Sequence, residues 1–131
     1  SNLIPDPIED RNILLRNVLT NFPKENYHWL SEEQVSKIRN REYKYASMYK
    51  INKIDGKSSC VLSGGYCNSS DNKIEIDEGI RFLHNTENER LQTLPDGYTE
   101  GIPETKRKFC IGNGWTVDVI VEFFKKIEVK K

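Results

Sequence analysis

The shortages in this chain narrow its function before any motif is considered. Its 131 residues include two histidines, three cysteines and one methionine, and the formal net charge is zero. No apolar run approaches the roughly 20 residues a membrane helix needs, so no membrane partner is expected. No secretory leader is expected from the opening residues, because Asp6, Glu9 and Asp10 precede any apolar stretch. Three cysteines cannot all pair, which points to a reduced, cytoplasmic setting rather than a disulfide scaffold. Cys60 and Cys67 are spaced C-x6-C, unlike the C-x2-C of most structural zinc sites, so no metal is expected. His28 and His84 lie in no nucleophile motif. A Cys110–His84 hydrolase pair would rest on two isolated residues, and Cys110 reads more simply as a small buried side chain before a turn. Neither Ser63-Gly64-Gly65 nor Gly112-Asn113-Gly114 matches a phosphate-binding loop.

What is present is one modest domain's worth of chain with an uneven charge distribution. Residues 37–57 carry Lys37, Arg39, Arg41, Lys44, Lys50, Lys53 and Lys57 against Glu42 and Asp55, a local charge of +5. A second basic cluster is Lys106-Arg107-Lys108. Such runs are most often solvated faces, and the functional alternative is a phosphate-tracking patch. A chain opening on Ser1-Asn2, with Met48 its one methionine, is expected to be processed or cut from a longer protein.

The pattern predicts an α+β fold with a small antiparallel sheet flanked by helices. Residues 8–20 place Ile8, Leu14, Leu15, Val18 and Leu19 on one helical face. Ser31 and Gln34 form a capping box for a helix to about Arg39. Strands are expected near 48–54 and 59–63, joined at Asp55-Gly56 as a hairpin, with a third at 73–77. A helix capped by Asn85 or Thr86 should run to about Thr93, followed by a Pro95-Asp96-Gly97 turn and a helix from Glu104 to Ile111. A last amphipathic helix spans about 116–127, with Val117, Ile120, Val121 and Phe124 on one side.

The stretch from Arg81 onward carries a resemblance. Arg81, Leu83, Glu87, Arg90, Leu91, Gln92 and Pro95 follow the spacing R-x-L-T-x-x-E-x-x-R-L-Q-x-x-P near the end of DNA cytosine-5 methyltransferases. His84 stands where that pattern has a helix-capping Thr. GNGWTVDVI, from Gly112 to Ile120, resembles the family's final motif, and with the PDGYT loop it is similar to the phage-type and de novo subgroups. Residues 55–62 resemble the family's target-recognition region, and 13–38 its connector. The resemblance divides the chain into a helical connector at about 1–40, recognition strands at 41–80 and the last two motifs at 81–131.

The resemblance implies a C-terminal target-recognition domain or subunit of an enzyme that transfers a methyl group from S-adenosylmethionine to cytosine in double-stranded DNA. The family's cysteine nucleophile follows a proline, and no cysteine here does, so the catalytic step would belong to another part of the enzyme. It implies further that Asn113, Gly114 and Trp115 form a wall of the donor pocket, and that Lys57, Ser58, Ser59 and Arg81 contact DNA. Glu87, Arg90, Leu91 and Gln92 would be structural, with Arg90 and Gln92 tying their helix to the recognition loops. The final helix would pack on an α/β methyltransferase domain, or self-associate through its apolar stripe when isolated. A bacterial or phage-encoded protein is implied. The competing expectation is a stand-alone, non-catalytic DNA-binding or regulatory module derived from such an enzyme.

Overall fold

The computed structural model describes residues 4–63 and 72–127; Gly64, Gly65 and Cys67 lie outside them. The elements are α1 (Leu15–Val18), α2 (Glu32–Arg39), β1 (Ile51–Asn52), β2 (Lys73–Ile76), β3 (Gly79–Phe82), α3 (Asn85–Leu91), α4 (Glu104–Asn113) and α5 (Val117–Lys125), with short 3-10 turns at 24–26 and 46–49. The class is the expected α+β. The sheet, however, is mixed, in the order β1-β2-β3, because β1 runs parallel to β2 and only β2 and β3 are antiparallel.

Local chemistry explains where these elements begin. Ser31 Oγ accepts from Gln34 N at 3.2 Å while Gln34 Oε1 accepts from Ser31 N at 2.9 Å, so α2 starts on the expected capping box. The helix expected over 8–20 shrinks to Leu15–Val18. Asp10 accepts from the amide of Asn12, whose φ of 55° breaks any helix at that point. The amides of Leu15 and Arg16 then bond to the carbonyls of Gly56 and Ile54, at 2.9 and 2.8 Å. The Asp55-Gly56 turn therefore caps α1 rather than returning a strand.

No strand forms at 59–63. In its place the side chain of Asn52 accepts from both the amide and the hydroxyl of Ser59, at 3.1 and 2.5 Å. Asn72 Nδ2 donates to the carbonyls of Ser59 and Cys60, at 3.2 and 3.3 Å. Two asparagines thus tether residues 59–60 where a β-ladder was expected. The expected third strand is present as β2, and it continues through Asp77-Glu78 into β3, which the pattern did not reveal. Gly79, at φ 138°, supplies the backbone freedom that this turn needs. Beyond β3, Leu30 N bonds Ile80 O and Phe82 N bonds His28 O, so residues 28–30 cover its free edge.

Leu15, Val18, Ile74 and Leu83 form the buried apolar cluster, joined by Leu19, Ile54, Ile76 and Leu91. Beside it lies a second interior made of charged and amide groups, including Lys73, Arg81, Asn85, Glu87, Asn88 and Glu89. Helix α5 buries none of its own residues. No helix among the described residues is long and apolar enough to cross a membrane, and no group of three or more metal-ligating side chains occurs among them.

Candidate functional site

The loop between β3 and α3 organises the polar interior. The Arg81 guanidinium meets both carboxylate oxygens of Glu87 at 2.8 Å, with the two side chains 3% and 0% exposed. Its planar face lies 4.0 Å from the centre of the Tyr27 ring. Glu87 also accepts from Thr20 N and Thr20 Oγ1 at 3.0 Å, and from His84 N at 2.8 Å. The carboxylate therefore joins β3, the start of α3 and the residues following α1. Arg81 was expected to contact DNA. The structure instead commits its guanidinium to Glu87 in the interior, away from any surface that a phosphate could reach.

His84 is itself the N-cap of α3. Its Nδ1 accepts from Thr86 N at 3.2 Å, and Glu87 closes the reciprocal half of the box. The expected caps, Asn85 and Thr86, are helical residues. Histidine can replace the threonine of the pattern because a neutral imidazole offers one acceptor nitrogen. Partial burial holds its pKa below the ordinary value, with Arg107 and Arg81 adding to the lowering against Glu87 and Glu104. As pH falls below about 6.5, the unfolded chain takes up the proton first. The contribution of His84 to stability is complete above that pH and is lost as pH drops through the lowered folded value. Replacement His84→Thr should keep the cap and remove this loss. Urea unfolding at pH 7.5 and 5 should then show the wild type declining more than the variant, and equal declines would contradict the assignment.

Three further residues tie the end of α3 to its surroundings. Arg90 pairs with Asp96 at 2.7 and 2.8 Å and donates to the carbonyls of Val18 and Leu19 at 3.1 and 3.0 Å. Its hydrogen bond holds the Asp96 carboxyl below the ordinary range. Gln92 donates to Ile111 O and Gly114 O at 3.0 and 3.2 Å and accepts from Thr116 at 2.7 Å. Gln92 therefore clasps the junction of α4 and α5, not the recognition loops, whereas Arg90 holds α1 and the PDG turn. Leu91 packs against the apolar core.

Sequence reasoning missed Glu89. This fully buried carboxylate accepts from Gly97 N at 2.7 Å, Thr99 N at 2.9 Å, Thr99 Oγ1 at 2.5 Å and Arg107 at 3.2 Å. Burial alone would raise its pKa, but these donors outweigh burial and the net direction is down. Glu89 thus ties the PDGYT loop to α3. The signal for it was a second glutamate two positions after Glu87, on the opposite side of the helix.

The Gly112-Asn113-Gly114-Trp115 segment ends α4. Asn113 and Gly114 are exposed, and Trp115 is 73% exposed with its indole uncovered. Gly112 rather than Gly114 makes the close backbone approach. A Cβ at Gly112 would sit 2.5 Å from Ser63 N and nearer still to the Leu62 carbonyl. Cys110, expected to be buried, is exposed, and His84 is committed to its cap.

Lys57 is exposed and pairs with Asp10 at 2.6 Å while donating to Ile13 O at 3.1 Å. Ser58 and Ser59 are half-buried, with Ser59 fixed by Asn52. These three residues border a cavity of about 570 Å³, along with Leu14, Gln92 and Val119. Asn113, Gly114 and Trp115 do not line it, so the two groups of candidate residues occupy separate places.

A family model described as C-5 cytosine-specific DNA methylase matches residues 9–129. The chain belongs to that family. Its relatives include the type II methyltransferase M.Sau3AI of Staphylococcus aureus, 39% identical over 68 residues, or 52% of this chain and 16% of that protein. The fold of this methylase-family chain matches S. pombe Dnmt2 methyltransferase with a TM-score of 0.64 and 16% identity, over 90% of this chain and 42% of that one. It also matches the Entamoeba histolytica methyltransferase EhMeth with a TM-score of 0.66 and 13% identity, over 94% and 43%. The chain therefore spans less than half of these relatives.

Proposed function

We propose that this chain is the C-terminal target-recognition part of a DNA (cytosine-5-)-methyltransferase, of the phage-type or de novo-like kind. The carrying observation is α5. It is an apolar helix with no buried residue, on which Phe124 is 63% and Phe123 41% exposed. A face of that composition is stable in a soluble enzyme when another surface covers it. The proposed cover is the α/β catalytic domain or subunit, which accords with the chain matching only a 42–43% share of each solved methyltransferase. Residues 1–40 would then be the connector, 41–80 the recognition region and 81–131 the closing motifs.

S-adenosylmethionine supplies the methyl group when bound. The residues proposed beside it fit one wall of such a pocket and no more. The Trp115 indole offers an uncovered flat apolar face, and Asn113 and Gly114 beside it are exposed. The Gln92 clasp fixes that wall by holding Gly114 O and Thr116. None of the cysteines follows a proline, so the group that attacks cytosine is proposed to reside in the partner part. Lys57, Ser58 and Ser59 would face double-stranded DNA, with Asn52 setting the position of Ser59.

A tritiated-methyl transfer assay tests this division. The chain alone should incorporate no label into DNA, and mixing it with a Pro-Cys-bearing catalytic part should restore incorporation. Label transferred by the chain alone would defeat the proposal. Failure of every catalytic part to respond, with DNA binding intact, would favour the non-catalytic module instead.

A further inference from the structure

The basic run at 37–57 divides sharply once its partners are known. At its ends the cations are neutralised: Lys37 by Glu33 at 2.6 Å, Arg39 by Glu75, and Lys57 by Asp10 at 2.6 Å. Between them, Arg41, Lys44, Lys50 and Lys53 are all exposed, and among the described residues none pairs with a carboxylate. Of the nearby acids one is neutralised by a cation outside the run, and Glu42 leaves a single negative charge beside the four. Asp55 pairs with Arg16, and Glu42 accepts from Asn40 at 3.2 Å.

Tyrosines stand beside two of these cations in place of acids. The Arg41 guanidinium lies 5.8 Å from the Tyr49 ring centre and the Lys44 ammonium 5.3 Å from that of Tyr45, which is 56% exposed. Tyr49 is fixed in turn by donating its hydroxyl to the Tyr43 carbonyl. A ring positions a cation without cancelling its charge, so the charge remains available to an outside anion. Lys50 and Lys53 flank β1, the edge strand, whose Asn52 holds Ser59. The Lys50–Lys53 end of the run is therefore joined through β1 to the proposed recognition segment.

We propose that Arg41, Lys44, Lys50 and Lys53 form a docking surface for the phosphate backbone of duplex DNA. It sets the position of the duplex beside residues 57–59 without reading bases. This inference rests on the DNA-facing role proposed above and assigns the electrostatic part of it to residues other than Arg81 and Lys57. Four contacted phosphates would give log K a slope of about −3.6 against log salt.

The experiment is an anisotropy titration of the full chain with a fluorescein-labelled random-sequence duplex of about 20 base pairs, between about 50 and 200 mM KCl. Arg41→Gln/Lys44→Gln and Lys50→Gln/Lys53→Gln should each make the slope shallower by about 2 and weaken binding several-fold at the lower salt. Lys106→Gln, which removes an equally exposed cation elsewhere, should change neither. Circular dichroism of the variants should match the wild type. Wild-type slopes in both double variants overturn the inference while leaving the proposed function intact, because the wild type still binds DNA. Tighter binding of a single-stranded RNA of the same length would overturn the assignment to duplex. A wild type that binds no duplex at any salt also overturns it, and methyl transfer with a catalytic part then decides the proposed function separately.

Discussion

Glu87→Ala should cost this chain about 3–5 kcal/mol, the range for breaking a buried ion pair and leaving one charge behind. Folded domains are typically stable by only about 5–15 kcal/mol, so the variant should be largely unfolded in mild urea. The cost has two sources. Arg81, 2% exposed, would keep its charge with no carboxylate to meet it. Thr20 N and His84 N would also lose their acceptor in a half-buried region. The loss links α1, β3 and α3, so it should appear as a lower midpoint of the whole transition rather than as local fraying.

Arg81→Met separates the two sources. It removes the buried cation but leaves Glu87 with the donors from Thr20 and His84. Its cost should therefore be clearly smaller than that of Glu87→Ala. Replacing both members by apolar residues can be nearly neutral for a simple buried pair. Here Arg81→Met/Glu87→Leu should remain destabilised, since the two amides still lack an acceptor. Urea midpoints for the three variants test the order, and a double variant at wild-type stability would show that the pair acts alone.

Legibility from sequence followed the range of the interactions involved. The Ser31–Gln34 box could be read because both halves lie within one helical turn, and α2 starts there. Asp55-Gly56 forms the turn that its residues imply, but not a hairpin. The residues of a turn do not say which groups its carbonyls will meet, and here they meet Leu15 and Arg16, some forty positions earlier. Asn52 and Asn72 then replaced the expected ladder with side-chain bonds, which no alternation pattern encodes. The motif at 81–95 could be read as spacing, but its roles could not. Arg81 looks like a surface cation until Glu87 is seen to fold back from the first turn of α3. His84 looked like a departure from the pattern until its imidazole was found to accept as a threonine hydroxyl would.

The glycines of the final motif make the second large effect. Placed inside α4, Gly112→Ala would ordinarily stabilise a helix by about 1 kcal/mol. The expected result has the opposite sign. The added Cβ would meet Ser63 N at 2.5 Å and the Leu62 carbonyl nearer still, and backbone cannot rotate aside as a side chain can. Overpacking of this kind costs about 1–3 kcal/mol, and a contact between two backbones belongs at the upper end. Gly114→Ala is the matched control. Its φ is −78°, and a Cβ there would lie 3.3 Å from Cys110 O and 3.4 Å from Ile111 O, so the change should stay within about 1 kcal/mol of wild type. Thermal or urea unfolding separates the two. If Gly112→Ala proves as mild as Gly114→Ala, α4 does not press on Leu62–Ser63. If the large loss appears, the glycine is required because it lets the final motif lie directly against the segment that carries Ser58 and Ser59. The proposed donor-side wall and the residues proposed to face DNA, though they line no common cavity, would then be coupled through that one contact.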